Sequence, residues 1–206
     1  MTPEAHTHLS KVCPIMRKLI RTHGPCGIVI ERTRTPFQSL VSAVAHQQLN
    51  GVAAETILRR FRGLFGGRFP TAARIAEVND DQLRGVGFSR AKVAAIRDIA
   101  AKTLDGTVPG SKQIKLLDDE AIIERLTSVR GVGRWTVEMY LIFTLGRTDV
   151  FPADDFGVRN GYRLMRSLPE LPKPKEMLTY AERWRPHGTT AAWYLWRAAD
   201  TFKPGG

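Results

Sequence analysis

The sequence predicts an all-α protein, and three observations carry the prediction. Apolar residues recur at spacings of three and four almost throughout the 206 residues. No stretch alternates in the way a half-buried strand requires. Between Leu126 and Gly161 a Gly-Val-Gly turn (Gly131, Val132, Gly133) separates two helix-like segments and is followed, after a short loop, by Asp154 and Asp155.

Taken in order, Phe37, Leu40, Val41 and Val44 share one helix face, and Ile57, Phe61 and Leu64 share another. Thr71 is expected to cap a short helix before Asn79 and Asp80. Ser89 opens a helix whose Val93, Ile96 and Ile99 face inward, and Asp118 caps one carrying Ile122, Ile123 and Leu126. Beyond the glycine turn, Met139, Leu141, Ile142 and Leu145 predict a mostly buried helix. Another runs from Phe156 to Leu168 and ends before Pro169. Pro169–Lys175, with three prolines, links helices rather than domains. The last two helices span Lys175–Trp184 and Thr189–Phe202, separated by Pro186 and Gly188. Arg84-Gly85-Val86-Gly87 recurs as Arg130-Gly131-Val132-Gly133, a faint repeat that two helix-redirecting turns would also produce independently.

Charge narrows the class. Lys+Arg is 31 against 20 Asp+Glu, a formal net charge of +11, with a sequence pI near 10.2. Such an excess, without a basic low-complexity tail, points to a polyanion as partner. Arginine supplies most of it, and its planar fork suits phosphate oxygens better than a lysine point charge. No apolar run approaches the ~18 residues of a membrane span. The N-terminus MTPEAHTHLSKV lacks an apolar signal core. A cytoplasmic protein, nucleoid-associated in a bacterium, is the expectation. Cys13 and Cys26 are then expected to be free thiols.

Glycines at a turn let backbone N–H groups approach a phosphate closely, and the helix that follows adds its positive dipole end. A carboxylate delivered nearby can act on whatever that phosphate is attached to. An Asp pair before an apolar helix also reads as an N-cap with a first-turn acid, and at this point both readings stand. A dinucleotide fingerprint would need a glycine where Thr136 sits and a strand before the turn. No G-x-x-x-x-G-K-[ST] loop exists in the chain.

Four segments together are more specific than any one of them: AVAHQQLNGVAA (Ala43–Ala54), LRGVGFSRAKVAAIRDIA (Leu83–Ala100), the glycine turn with its acids, and YAERWRPHGTTAAWYLWRAAD (Tyr180–Asp200). In this order and spacing the chain, from about Thr35 to Lys203, resembles the alkylation-repair branch of the helix–hairpin–helix DNA glycosylases, the DNA-3-methyladenine glycosylase II family. The resemblance implies a single glycosylase domain over residues 1–206, made of two packed helical subdomains with a DNA-binding cleft. The subdomains would span roughly 36–110 and 111–206, with 1–35 packing on the C-terminal half. The iron–sulfur branch carries four cluster cysteines towards its C-terminus; this chain has none after Cys26, which excludes a cluster. No cofactor is expected for catalysis.

Residue by residue, the resemblance assigns Asp155, the second acid of FPADDFGVR, as the catalytic aspartate, and leaves Asp154 a capping or structural role. A lone carboxylate suits the chemistry. Cleaving an N-glycosidic bond builds positive charge on the sugar, which a nearby anion stabilises while orienting water. A base alkylated at a ring nitrogen is already cationic and leaves without a proton donor. The base must be flipped from the duplex into a pocket. Trp135 and Trp196 match the family's pocket aromatics, and stacking on a cationic base is worth about 0.5–2 kcal/mol per contact. Tryptophans on helices also serve as plain core, and Trp193 and Tyr194 are read that way. Met139 stands where some relatives have a third aromatic.

The gap left by the flipped base would be filled from HQQLNG, with Gln47, Gln48, Leu49 and Asn50 as candidates and Gln48 favoured. The plainer alternative is a polar helix-to-helix turn ending at Gly51, with His46 as a loop hydrogen-bonder. N–H groups at Gly131, Gly133 and Arg134 are expected to hold one phosphate. Carbonyls of Thr127, Val129 and Val132 would hold a structural Na+ or K+. One departure is Gly188-Thr189, where relatives frequently read Arg-Ser.

The implied function is a monofunctional DNA glycosylase acting, as a monomer, on alkylated purines of the 3-methyladenine and 7-methylguanine type in double-stranded DNA. The rival from another class is a non-catalytic helix–hairpin–helix DNA-binding module. A third reading keeps the enzyme and changes the lesion to hypoxanthine, ethenoadenine or uracil. The Asp pair and matched tryptophans argue against the binding module, since phosphate binding needs neither. Strand-nicking relatives carry a lysine in a G-V-G-x-K pattern, whereas this chain reads Gly131-Val132-Gly133-Arg134-Trp135. An indole cannot form the Schiff base that lysine supplies. Borohydride present during turnover should therefore trap no protein–DNA adduct; efficient trapping with strand cleavage before alkali would reveal an amine nucleophile.

Overall fold

The computed structural model describes residues 3–201, and every regular element among them is helical. In chain order the α-helices are α1 (Pro3–Val12), α2 (Pro14–His23), α3 (Pro36–His46), α4 (Gly51–Gly63), α5 (Asp80–Gly85), α6 (Arg90–Leu104), α7 (Asp119–Thr127), α8 (Arg134–Tyr140), α9 (Phe156–Arg166), α10 (Pro174–Ala181) and α11 (Gly188–Thr201). Local chemistry starts most of them. Pro3, Pro14, Pro36 and Pro174 sit at helix starts, where a missing N–H costs nothing. Thr35 with Gln38 and Asn79 with Gln82 form reciprocal capping boxes for α3 and α5. Asn50, Ser89 and Asp118 cap α4, α6 and α7 through their side chains.

The chain divides into two compact units. One is continuous, from Glu31 to Tyr140. The other joins the chain up to Ile30 with everything described from Leu141 onward. In the continuous unit, Phe61 gathers Phe65, Phe69 and Phe88 in edge-to-face contacts with ring centroids 5.4–5.6 Å apart. Ile96 and Ile99 of α6 are fully buried, and α6 packs on α3. In the other unit, Trp184 is buried among Phe151, Tyr162 and Tyr180. Leu9, Met16 and Leu19 from α1 and α2 enter the same cluster.

Several elements differ from expectation. The division falls after Tyr140 rather than near residue 110, because α7 packs on α8 and α8 on α3, all inside the continuous unit. Thr71 is not a side-chain cap. The segment before Asn79 is a 3-10 helix, Ala73–Glu77, whose tighter turn takes the Thr71 carbonyl as acceptor for the Arg74 N–H. The helix after the glycine turn stops at Tyr140 and continues as a π-turn, Leu141–Leu145. α9 ends at Arg166 because Ser167 turns left-handed at φ 52°. α10 is followed by a 3-10 turn, Glu182–Trp184. α1 and α2 have no counterpart among the predicted elements. The predicted helix end at Phe202, and Lys203, lie outside the described residues.

α9 and α11 meet backbone to backbone. A Cβ built on Gly161 would lie 1.9 Å from the Leu195 carbonyl oxygen and 2.7 Å from its carbon. Neither backbone can yield without separating the helices. Gly161→Ala should therefore cost about 3 kcal/mol or more, read as a fall in the denaturant midpoint. Gly63→Ala, where an added Cβ meets nothing within 4 Å, should leave the midpoint unchanged or raise it.

Candidate carboxylate site and nucleic-acid interface

Asp155 stands immediately before α9 as its N-cap. Its Oδ1 accepts the Val158 N–H at 2.8 Å and the Trp196 indole N–H at 2.8 Å. The carboxylate is thus fixed from its own helix and from α11, at the N-terminal, positive end of α9. Trp196 is itself held by stacking on Phe143, with centroids 5.8 Å apart and planes 24° from parallel. Space for this arrangement comes from Gly157. A Cβ there would lie 2.9 Å from Trp196 Cδ1 and 3.1 Å from Asp155 Oδ1.

The division of labour between the two acids differs from expectation. Asp155, not Asp154, caps α9, while the Asp154 side chain is 80% exposed with Arg159 3.8 Å away. Capping and a fixed carboxylate need the same thing, a side-chain oxygen turned back on the first helical turn, so one residue does both. The Gly188-Thr189 departure also has a physical role. Thr189 Oγ1 donates to the Arg147 carbonyl at 2.8 Å and accepts the Val150 N–H at 3.0 Å. The Gly188 N–H donates to Asp149 Oδ1 at 3.1 Å. Together they tie the start of α11 to the loop that leads into Phe151 and Asp155.

In the continuous unit, α7 and α8 flank the turn from Ser128 to Gly133. Gly131 has φ +77° and packs so tightly on α6 that a Cβ would be 3.0 Å from Ala95 Cβ. Val129 and Val132 are buried and anchor the turn, and the Val132 N–H closes it on the Val129 carbonyl at 3.1 Å. α6 supports it further: Asp98 accepts the Arg130 N–H at 2.7 Å, and Lys102 donates to the Ser128 carbonyl. The Arg134 side chain is engaged by Glu120 at 2.6 Å and Glu138 at 3.2 Å. The Glu120 hydrogen bond, helped by the neighbouring carboxylate charges and opposed by burial, pushes its guanidinium pKa up. Trp135 is 47% exposed and Met139 half-buried.

The loop Gln47–Asn50 separates its four candidates. Asn50 caps α4 by accepting the Ala53 N–H at 2.9 Å. Gln47 Nε2 donates to the Gly131 carbonyl at 2.9 Å. Gln48, at φ +58°, and Leu49 are exposed, as is Asn50, whose side chain is committed to its cap. His46 lies 3.4 Å from Glu55. Among the described residues no group of three or more His, Cys, Asp or Glu is placed to hold a metal ion. No described helix is long and apolar enough to cross a membrane.

A fixed carboxylate in one unit and a glycine turn with a strained loop in the other meet a matching family model. Residues 41–186 match the model described as HhH-GPD superfamily base excision DNA repair protein. The chain belongs to this superfamily. It is 43% identical over 98% of its length, and over 90% of the relative's, to DNA-3-methyladenine glycosylase 1 of Schizosaccharomyces pombe. The solved structure of S. pombe Mag1 in complex with abasic DNA superposes with TM-score 0.84 at 40% identity, covering 94% of this chain and 95% of that one. A crystal structure of DNA-3-methyladenine glycosidase from Bacillus halodurans gives TM-score 0.86 at 33% identity, covering 98% and 91%.

In this HhH-GPD protein the structure adds Phe143, Gly157 and Thr189 to the carboxylate's surroundings. Gly157, two residues after an acid, and Thr189, in the Gly188-Thr189 departure, are visible in the sequence, whereas nothing local marks Phe143. The cap generates a separation of effects. Asp155→Asn keeps an oxygen cap and should retain wild-type stability, whereas Asp155→Ala should lose about 1 kcal/mol. The Trp196 indole N–H resonance should shift in the Ala variant while that of Trp184 stays in place; an unmoved Trp196 signal would contradict the hydrogen bond.

Proposed function

We propose that the chain is a monofunctional DNA glycosylase that hydrolyses the N-glycosidic bond of alkylated purines, of the 3-methyladenine and 7-methylguanine type, in duplex DNA. The single observation that carries the reading is the Asp155 carboxylate, held by two donors on one oxygen. Extensive similarity to glycosylases named for 3-methyladenine supports the substrate class. The net charge of +11 suits a DNA partner.

In this reading the amides at Gly131, Gly133 and Arg134 grip a backbone phosphate. A Na+ or K+ on the carbonyls of Thr127, Val129 and Val132 reinforces that grip without entering the chemistry; the Val129 carbonyl keeps a second lone pair beyond the one closing the turn. Gln48 and Leu49 fill the space the target base leaves. Trp135 offers its indole face to a cationic base, with Met139 on the same helix. Trp196 acts by holding Asp155. Asp155 stabilises the positive sugar and orients water, which attacks the anomeric carbon as the glycosidic bonding pair leaves with the base. The cationic base departs neutral, the water proton passes to solvent or carboxylate, and an intact abasic strand remains. The protein acts as a monomer, in the compartment that holds the DNA.

A release assay on duplexes with one defined lesion each tests the substrate class; release of hypoxanthine or uracil in preference to 7-methylguanine would replace it. Asp155→Asn should slow single-turnover release by about 10²-fold or more while keeping or strengthening duplex affinity, because the lost anion also repels phosphate. Wild-type-like release by this variant would remove Asp155 from the mechanism. Binding to undamaged duplex should weaken with salt at a log–log slope of about −0.9 per neutralised phosphate. A flat response would contradict DNA binding.

A further inference from the structure

The tie between Gln47 and Gly131 has no place in the chemistry above, yet its surroundings are built with care. Gln48 is a non-glycine residue at φ +58°, a conformation that costs about 1 kcal/mol and persists only when neighbours enforce it. The enforcement is visible on both sides. Lys92 Nζ donates to the carbonyls of Ala45, in the last turn of α3, at 2.9 Å and of Gln47, its C-cap, at 2.8 Å. Partial burial pushes the Lys92 pKa down, and these two carbonyls accept from its ammonium group. The Leu49 N–H returns to the His46 carbonyl at 3.2 Å.

From this clamped position Gln47 Nε2 reaches the Gly131 carbonyl. That carbonyl and the Val132 N–H belong to one planar peptide unit, and the N–H is bonded to Val129. The unit is therefore pinned at both ends, and the amides of Gly133 and Arg134 follow directly from it. α6 is the common frame, holding the loop through Lys92 and the turn through Asp98 and Lys102.

We propose that Gln47 is a positioning residue, backed by Lys92, that couples the loop filling the vacated base site to the turn gripping the phosphate. Grip and insertion are then one rigid event, and the binding energy of the phosphate helps drive the base out. The proposal rests on the glycosylase reading.

The test compares one duplex carrying 7-methylguanine opposite cytosine with another carrying it opposite a tetrahydrofuran abasic analogue, where there is no base pair to break. Gln47→Leu should slow single-turnover release about five- to tenfold on the paired lesion and less than about twofold on the unpaired one. Lys92→Met should show the same split. Equal slowing on the two substrates, or none on either, overturns the coupling. If the wild type releases base from neither, the glycosylase reading fails on its own. The coupling is then read by 2-aminopurine fluorescence beside the tetrahydrofuran site. Its rise on binding should shrink in Gln47→Leu, and an unchanged rise overturns the proposal.

Discussion

Everything around the carboxylate depends on two backbones meeting with no side chain between them. Gly161 of α9 lies against the Leu195 peptide of α11. The next residue after Leu195 is Trp196, and six residues before Gly161 is Asp155. The close crossing lets an indole N–H reach a carboxylate across two helices, and Gly157 keeps the path clear. Side chains that would be unremarkable at ordinary helix separation become partners here. Packing, not a motif, converts a helix cap into a constrained anion.

The other unit solves a different problem, holding two irregular segments in register. Left-handed Gln48 and Gly131 sit in different turns. Each is unfavourable or permissive alone, and α6 supplies donors and acceptors to both. A helix is well suited to this task, because residues at Lys92, Asp98 and Lys102 hold fixed spacings along a stiff rod. Loops carried this way can be conformationally unusual without being loose.

Much of this was legible in the residues. Apolar spacing placed Val93, Ile96 and Ile99 on the inner face of α6, and the caps at Ser89 and Asp118 lie where short polar side chains precede helical runs. The order of the motifs pointed to Asp155. Long-range consequences were hidden. Nothing local says that Trp196 spends its N–H on Asp155, or that Gln47 faces Gly131 rather than solvent. Those pairings depend on how helices cross, which periodicity does not encode. Thr71 was misread because a 3-10 turn satisfies its own amides. The unit boundary was misplaced because α7 carries an apolar face without indicating which partner receives it.

One consequence follows from Asp155 being both cap and anion. In most sites a residue's chemical duty and its architectural duty are carried by different atoms, so losing one reveals itself through the other. Here a single-nucleotide change to an asparagine codon would leave α9 capped and the protein folded. With the chemistry proposed for Asp155, the product would be a sound scaffold that occupies damaged DNA without acting on it. Quality control that senses unfolding would not see it, and it would shield the lesion from a competent copy.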